Sequence, residues 1–169
     1  ALSFSPKTIA LVNQVKADIL HRGWDAKTLK LDVKSMRKKM EDHLGSKAKG
    51  VLNLKHDEGG LVDIEFLAQY AHLYFDVDEV STVKMLQSLP EHAPENWKKH
   101  TPFLVDSFLM YRQMENALRV HLWASVGRLP ADDSAAEWET LRRHAPIKST
   151  KALQQNMLKV REIFNELLG

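Results

Sequence analysis

The chain has 169 residues, 44% of them hydrophobic and 27% charged, which is ordinary for a single folded domain with its own core. Lysine plus arginine exceeds aspartate plus glutamate by 24 − 22 = 2, a mild excess that argues against a nucleic-acid-binding module. The absence of cysteine excludes disulfides, thiolate metal sites and cysteine nucleophiles, and it fits a cytoplasmic protein. No apolar run approaches the roughly 18 residues of a membrane span, and the N-terminus lacks a signal-peptide pattern.

Apolar residues recur with helical spacing along nearly the whole chain. We therefore predict an all-α fold, a single bundle of six to eight helices forming one domain over residues 1–169. Ser5-Pro6 predicts the start of a first helix that ends at Gly23, and its inward residues would be Ile9, Val12, Val15, Ile19 and Leu20. Asp32 is expected to cap a second helix that ends at Gly45, and its inward residues would be Val33, Met36, Met40 and Leu44.

A polar connection over residues 46–58, with a short extended piece at 51–54, leads into a third helix. This helix should run from Gly60–Leu61 to about Phe75, and a weaker one should follow over about 79–89. Residues 91–100 come directly after Pro90 and are predicted to be a loop with a short turn around Trp97.

The second half of the chain should contain three helices. Thr101-Pro102 is expected to open the longest, to about Ala124, before a break at Gly127 and Pro130. Its inward residues would be Leu104, Phe108, Tyr111, Met114, Leu118 and Leu122. Asp132 or Asp133 should cap a short helix that contains Trp138, Leu141 and Arg142. Ser149 should cap the last, whose inward stripe would be Leu153, Met157, Val160, Phe164 and Leu167 or Leu168. Trp97, Trp123 and Trp138 are expected to be core or cap residues.

The most informative stretch is residues 55–70, where Gly59-Gly60 precedes Asp63 and Glu65 in a helical pattern. Two adjacent glycines allow a positive φ or a close approach to another surface. The start of a helix also presents free N–H groups that stabilise acids or bind anions. Because Asp63 and Glu65 would point about 200° apart around a helix, one of them must face something other than bulk water.

Two interpretations of this stretch stay open at the level of the residues. In the functional one, Lys55 and the acidic pair form a polar cluster at an edge of the bundle. In the structural one, the glycines turn the chain into a helix, Asp63 complements the helix dipole and Glu65 pairs with an arginine. Arg37 lies beside the buried stripe of its predicted helix and could pair with Asp63 or Glu65.

Other polar motifs carry less weight. The cations of residues 36–40 lack interleaved aromatic residues and are expected to form a solvated helix face. Asp76 and Asp78 have the D-x-D form of a magnesium site for nucleotidyl transfer, yet the one Gly-Ser pair, Gly45-Ser46, lies thirty residues upstream. We expect them in a solvated loop between helices. The histidines show no metal-binding spacing, so we predict no metal site. The sequence also lacks a nucleophile motif and a nucleotide-binding glycine motif, so we predict no catalytic residue in this chain.

Residues 55–70 resemble the motif K-x-x-x-G-G, aliphatic, x, D or E, x-E-F-x-x-Q of glutamine synthetase adenylyltransferase, the bifunctional enzyme that modifies glutamine synthetase. Further segments are similar to that family in order and spacing. Residues 36–40 resemble its M-R-x-K-M, residues 111–118 its L-R-x-L-E-N-x-L, residues 128–130 its R-L-P and residues 160–167 its V-R-x-x-F-x-x-L. The resemblance thus extends from residue 36 to the end of the chain.

In that family a nucleotidyltransferase domain precedes each of two helical domains. One half attaches AMP from ATP to a tyrosine of glutamine synthetase, and the other removes it by phosphorolysis, under control of PII protein and glutamine. The resemblance implies that this chain is a helical domain that follows a nucleotidyltransferase domain, which would hold the G-S and D-x-D catalytic motif missing here. It implies ATP and Mg²⁺ for the full-length enzyme and no cofactor for this domain alone.

The resemblance also implies partners and site residues. The partners would be the nucleotidyltransferase domain of the same polypeptide and glutamine synthetase, with PII protein as a further candidate, and neither nucleic acid nor a membrane. Lys55, Gly59 and Gly60 would face the nucleotide cleft, while Asp63 and Glu65 would orient neighbouring basic groups such as Arg37. Alanine at Asp63 and Glu65 should then reduce AMP transfer and leave the fold intact.

The rival hypothesis is a non-catalytic helical protein-interaction module. The sequence leaves open which half of the enzyme the domain would belong to, although Val62-Asp63 and Tyr70 look closer to the adenylylating half.

Overall fold

The structure is a computed structural model that describes residues 5–20, 22–46, 48–122 and 128–169, with the backbone alone described at residue 122. The described residues form seven helices and two short strands, so the predicted all-α bundle of six to eight helices is confirmed. In chain order the elements are α1 (Pro6–Leu20), α2 (Ala26–Leu44), β1 (Val51–Asn53), α3 (Leu61–Tyr74), α4 (Thr82–Gln87), α5 (Glu95–Leu122), β2 (Arg128–Pro130), α6 (Ala136–His144) and α7 (Thr150–Leu168). The strands pair antiparallel, with Val51 opposite Pro130.

Helix α3 is the central element of the bundle and packs against α1, α2, α4, α5 and α7. Apolar side chains lie on almost every side of this helix, and they are shielded from water only if other helices surround it. The fully buried residues along it are Leu61, Val62, Asp63, Ile64, Leu67, Ala68, Tyr70 and Ala71. The predicted bounds of this helix are confirmed to within one residue, and the diglycine directly before it is buried.

Helices α5 and α7 flank α3 with the predicted faces. Tyr111, Met114 and Leu118 of α5 are buried. The whole predicted stripe of α7 is buried as well, and Ser149 caps that helix by accepting a hydrogen bond from the Ala152 N–H at 3.2 Å. Trp123, Ala124 and Gly127, which the sequence analysis singled out, lie outside the described residues, and so does the side chain of Leu122 on the predicted face of α5.

The predicted cap and face of α2 are wrong in part. The helix begins at Ala26, and its cap is Asp25, whose carboxylate accepts a hydrogen bond from the Thr28 N–H at 2.8 Å. Asp32 lies inside the helix, and Met36 and Leu44 are about half exposed. The stripe that faces the core is instead Leu29, Val33 and Arg37. Hydrophobicity alone could not identify it, because a buried carboxylate in α3 draws Arg37 inward.

The loop predicted for residues 91–100 is wrong from residue 95 onward, since α5 begins at Glu95 and contains Pro102. The first turns are anchored by Trp97, which is buried and stacks on Tyr70 with ring centroids 5.4 Å apart. The Thr101 hydroxyl donates a hydrogen bond to the Trp97 carbonyl at 3.1 Å. Tertiary packing of the tryptophan therefore outweighs the helix-start signal of the proline. The preceding helix, α4, is shorter than the predicted 79–89 and has Ser81 as its cap.

Neither predicted aspartate caps α6, whose cap position is Ala135 without a side-chain hydrogen bond. Asp132 accepts from the Ser134 N–H at 3.0 Å within its own turn. Asp133 accepts from the Thr150 N–H at 2.6 Å and so supports the start of α7. The predicted aspartate cap of α6 is therefore wrong, because both carboxylates accept hydrogen bonds from N–H groups outside that helix.

The predicted inward face of α1 is wrong as well. Ile9, Val12, Val15 and Ile19 are each about half exposed, and only Leu20 of the predicted face is buried. Over the described ranges of the chain, no helix is both long and apolar enough to cross a membrane.

Candidate functional site

The two glycines of residues 59–60 are both buried, and each is required by a close backbone contact. Gly59 has φ +75°, and a Cβ there would lie 1.7 Å from the Met157 carbonyl oxygen of α7. A Cβ on Gly60 would lie 2.6 Å from the Leu54 carbonyl oxygen. The predicted positive φ and close approach are thus confirmed, and the surface approached is this chain's own backbone.

The first N–H groups of α3 are satisfied by the segment that precedes it. Leu61 donates to the Leu54 carbonyl at 3.0 Å, and Val62 donates to the Lys55 carbonyl at 3.1 Å. Asp63 donates to the Gly60 carbonyl at 3.1 Å. These three donors at the helix start are therefore already used and do not form an open anion site.

Asp63 is completely buried and joins three helices. Its Oδ1 accepts a very short hydrogen bond from Arg37 Nε of α2. Its Oδ2 accepts from the Gly59 N–H at 2.7 Å and from Arg161 Nη1 of α7 at 3.3 Å. The carboxylate thus fixes the diglycine turn and ties α2 and α7 to α3.

Arg37 is the main partner of that carboxylate, and its side chain is only 1% exposed. Its Nη2 donates to the carbonyl oxygens of His56 and Asp57 at 3.1 and 2.9 Å. Its Nη1 makes no hydrogen bond and lies 3.8 Å from Glu41 Oε2. The predicted pairing of Arg37 with one acid of the motif is confirmed, and the acid is Asp63. We therefore expect loss of Asp63 to disturb the fold, contrary to the sequence-based expectation of an intact fold.

Arg161 is a second partner that sequence reasoning missed. Its Nη2 lies 3.1 Å from Glu58 Oε1 and 3.7 Å from Glu41 Oε2, and its guanidinium stacks 5.2 Å from the Phe164 ring centroid. The only signal in the sequence was its place in the V-R segment beside the buried stripe of α7. Pairing between residues 98 positions apart is invisible to local periodicity.

Tyr111 holds the diglycine turn from the side of α5. Its hydroxyl lies 3.0 Å from the Gly59 carbonyl oxygen and 2.6 Å from Asn156 Oδ1. Asn156 in turn donates to the Ser107 hydroxyl at 3.2 Å. Burial raises the pKa of Tyr111 far above its ordinary value, so the phenol stays neutral. The turn is consequently held from α2, α5 and α7 together.

Glu65 belongs to a different polar group on the other side of α3. It is half-buried, and this burial raises the pKa of its carboxyl, while the charges of Lys55 and Arg112 lower it and that of Glu115 raises it. Glu115 is buried and its Oε2 accepts from Arg112 Nη1 at 2.8 Å. We call Lys55, Glu65, Arg112 and Glu115 the Glu65 cluster. Arg112 and Lys55 are exposed members, so the cluster reaches the surface.

The sequence-predicted site residues therefore fall into two sets. Arg37, Gly59, Gly60 and Asp63 meet inside the bundle as one network, whereas Lys55 and Glu65 belong to the Glu65 cluster. The expectation that one of the two carboxylates avoids bulk water is confirmed for Asp63.

An open cleft of about 580 Å³ lies beside Arg161, between the end of α2, the segment before α3 and α7. Its polar lining is mostly acidic, and its lining includes Glu41, Asp42, Asp57, Glu58, Arg161 and Met157. Asp57 is already engaged, because its two oxygens accept from the N–H groups of Ser46 and Asn53 at 2.6 and 2.7 Å. So many carboxylates disfavour a phosphate ligand in this cleft.

Asp76 and Asp78 lie in the loop between α3 and α4, as predicted. Asp78 forms an ion pair with Lys16 of α1 at 2.5 Å. Within the part of the chain that the structure describes, no group of three or more histidine or acidic side chains is arranged to hold a metal ion.

Comparisons with known proteins identify relatives of this chain. A family model described as GlnD PII-uridylyltransferase matches residues 33–168. The bifunctional glutamine synthetase adenylyltransferase/adenylyl-removing enzyme of Vibrio parahaemolyticus is 49% identical over 70 residues, which are 41% of this chain and 7% of that protein. The protein of the same name from Methylococcus capsulatus is 37% identical over 90 residues, 50% of this chain and 10% of its own length.

The matched stretches thus span no more than a tenth of the length of these curated relatives. Their names agree with the resemblance that the motifs indicated, which is thereby confirmed. The match over most of the chain, together with the helical bundle around the buried Arg37–Asp63 pair, shows that the chain belongs to the GlnD PII-uridylyltransferase family, with bifunctional glutamine synthetase adenylyltransferases among its relatives.

Proposed function

We propose that this chain is the helical domain of a glutamine synthetase adenylyltransferase. It would support the attachment of AMP from ATP to glutamine synthetase, and its removal by phosphorolysis, in the regulation of nitrogen metabolism. The observation that carries the proposal is the 49% identity to a curated protein of that name, combined with the intact motif of residues 55–70. ATP and Mg²⁺ would bind a nucleotidyltransferase domain of the same cytoplasmic polypeptide, and PII protein would be a regulator.

The geometry suggests two separate roles for the residues of the motif. Arg37, Gly59, Gly60 and Asp63 would hold the turn before α3 rigid. Each is buried; Arg37, Gly59 and Asp63 contact another helix, and Gly60 packs against the Leu54 carbonyl of the preceding segment. The adjoining Glu65 cluster reaches the surface, where the Lys55 ammonium could offset phosphate charge in a nucleotide cleft and Glu65 could orient it. We therefore propose that Lys55 and Glu65 make the interdomain or nucleotide contacts and that the buried set positions them.

The test uses the full-length polypeptide that carries this sequence and measures AMP transfer to glutamine synthetase. Lys55→Ala and Glu65→Gln should each lower kcat at least about tenfold, a loss of roughly 1.4 kcal/mol in transition-state stabilisation. Their thermal stability should stay close to that of the parent protein. The matched controls are Lys151→Ala and Glu162→Gln, which change the same residue types at exposed positions of α7. Unchanged transfer in both Glu65-cluster variants would refute this role.

A helical protein-interaction module is the second candidate, and the open acidic cleft beside Arg161 favours it. Such a cleft suits a basic segment of a partner protein better than a nucleotide. Under this hypothesis the 169-residue chain should bind glutamine synthetase in a calorimeter without ATP. Arg161 is part of the buried network, so the variant to use is Asp42→Asn at the rim of the cleft, which should weaken such binding.

A further inference from the structure

Helices α2 and α7 both pack against α3, and a groove of about 410 Å³ lies between them. We call it the α2–α7 groove. Its α2 wall contains Lys34 and Lys38, and its α7 wall contains Arg161 and Asn165. The spacing of four residues places the members of each pair next to each other on one side of their helix. Cavities of roughly 300–1,000 Å³ are of the size that holds a small organic ligand.

The charged side chains that line this groove are all cationic among the described residues, and they are Lys34, Arg37, Lys38 and Arg161. Three carboxylates that pair with these cations line the open acidic cleft described above instead, and they are Glu41, Asp42 and Glu58. Arg161 borders both cavities. The packing of α2 beside α7 therefore separates the charges of one ion-pair network, and a cavity lined by a single sign of charge attracts a ligand of the opposite sign.

The two lysines are the cations of the groove that a ligand reaches most easily. Lys34 is exposed, and within the described part of the chain it forms no ion pair. Lys38 is 60% exposed, and its ammonium lies 3.4 Å from Glu41 Oε1 and 3.1 Å from Asp42 Oδ1. Ion pairs of such an exposed lysine are weak, so its ammonium is able to turn from these carboxylates to a ligand.

The two arginines give the groove a positive charge that is fixed before a ligand arrives. Arg37 is 1% exposed, and its Nη1 makes no hydrogen bond with a described residue. Asp63 carries one negative charge but contacts both guanidinium groups, so it neutralises Arg37 and Arg161 only in part. The remaining compensation comes from Glu41 and Glu58, which lie at the acidic cleft. Because the arginines need no rearrangement, their ordering adds no cost to binding.

The groups that line the groove indicate the class of ligand. A phosphate monoester carries a charge of about −1.5 to −2 at neutral pH and three acceptor oxygens. Two lysine ammonium groups match that charge, and the exposed Ser35 hydroxyl and Asn165 amide on the same walls can donate to the remaining acceptor positions. Leu31, which is 59% exposed, offers apolar surface to the organic part of the ligand. We propose that the α2–α7 groove binds a small organic phosphate through Lys34 and Lys38, an inference that does not depend on the proposed function above.

The test is an NMR titration of the 169-residue chain with phenyl phosphate at constant ionic strength. The shifts of backbone amide signals show where the ligand binds, and the same spectra show whether each variant is folded. Inorganic phosphate, benzoate and a short glutamate-rich peptide are the comparison ligands. The variants are Lys34→Gln and Lys38→Gln, and the matched control is Lys151→Gln at an exposed position of α7 outside the groove. Arg161 is left unchanged because it belongs to the buried network.

We expect phenyl phosphate to cause saturable shifts of amide signals on both walls of the groove. Each lysine variant should bind it at least about tenfold more weakly, because a hydrogen bond to a charged group is lost, whereas Lys151→Gln should bind it as the parent chain does. Phenyl phosphate should also bind more tightly than inorganic phosphate or benzoate, since it alone combines the phosphate charge with an apolar part.

The proposal would be overturned if no saturable shifts occurred at the groove, or if both lysine variants bound phenyl phosphate as tightly as the parent chain does. Equal affinities for benzoate and phenyl phosphate would overturn the assignment to a phosphate. If the glutamate-rich peptide saturated the groove and phenyl phosphate did not, an acidic protein segment would replace the small phosphate as its ligand.

Discussion

Replacement of Asp63 by asparagine is the sharpest test of the buried network. Asparagine keeps the volume of the side chain and an oxygen that can accept from the Gly59 N–H. What it removes is the negative charge that faces Arg37, whose side chain is 1% exposed and cannot turn to solvent. The substitution therefore removes the charge and also the acceptor for Arg37 Nε, because the amide NH2 takes the place of Oδ1 when the amide oxygen faces Gly59.

The expected loss of stability is large. Removal of one partner from a buried ion pair costs about 3–5 kcal/mol, because the other charge stays buried without compensation. Glu41 lies 3.8 Å from Arg37 Nη1 and offers only partial relief. Native domains are stable by about 5–15 kcal/mol, so Asp63→Asn should lose a substantial fraction of the total.

Urea unfolding followed by tryptophan fluorescence measures this loss. With a slope of about 2 kcal/mol per molar urea, the midpoint should fall by roughly 2 M. The control is Glu58→Gln, which breaks the ion pair of Arg161 with a side chain that is 58% exposed and should cost no more than about 1 kcal/mol. The reasoning is refuted if the two variants differ from each other by less than about 1 kcal/mol.

Three further substitutions test other parts of the site, each by the free energy of unfolding. Gly59→Ala should lower the free energy of unfolding by several kcal/mol more than Gly50→Ala does. Both glycines have positive φ, but only at Gly59 would the new methyl group meet backbone, the Met157 carbonyl oxygen at 1.7 Å. Equal losses of stability in the two variants would show that this contact is unimportant. Burial raises the pKa of the Glu65 carboxyl. The stability of the wild type relative to Glu65→Gln is therefore constant below the ordinary value of 4.5 and falls as the pH rises from there through the raised pKa. Glu65→Gln should therefore be at least as stable as the wild type at pH 7, and a clear loss there would indicate a strong ion pair instead. Hydrogen bonds from Thr150 lower the pKa of Asp133, so Asp133→Ala should destabilise the protein at pH 7. The difference in stability between this variant and the wild type should disappear as the pH falls through that lowered pKa. A loss of stability that persists in acid would contradict this.

The candidate site was predictable in composition but not in arrangement. The spacing of Asp63 and Glu65 on one helix predicted that they could not share an environment, and the structure places Asp63 in the core. Nothing local indicated that Arg161, 98 residues away, would reach the same carboxylate. The partners of a buried charge depend on which helices pack together, and helical periodicity does not contain that information.

The same distinction explains the errors in the fold. Helix α7 was predicted correctly because its apolar stripe is complete and Ser149 caps it locally. The predicted start of helix α5 was too late, because Pro102 suggested that the helix begins there. In the structure the helix begins at Glu95, and its first turns are held by the stacking of Trp97 on Tyr70. Helix α1 has an equally good apolar stripe, and yet most of that stripe is exposed.

Helix periodicity and turn residues were therefore sufficient for the fold class and for most helix positions, and the resemblance of the diglycine motif indicated the family. These features depend on backbone conformation and on contacts between residues close together in the sequence, so they can be inferred from the order of the residues. The packing of α2, α5 and α7 around α3 settled which acid is buried, which arginines neutralise it and which apolar face is left uncovered. A buried charge is tolerated only where distant groups converge on it, and that convergence exists only once the helices have assembled.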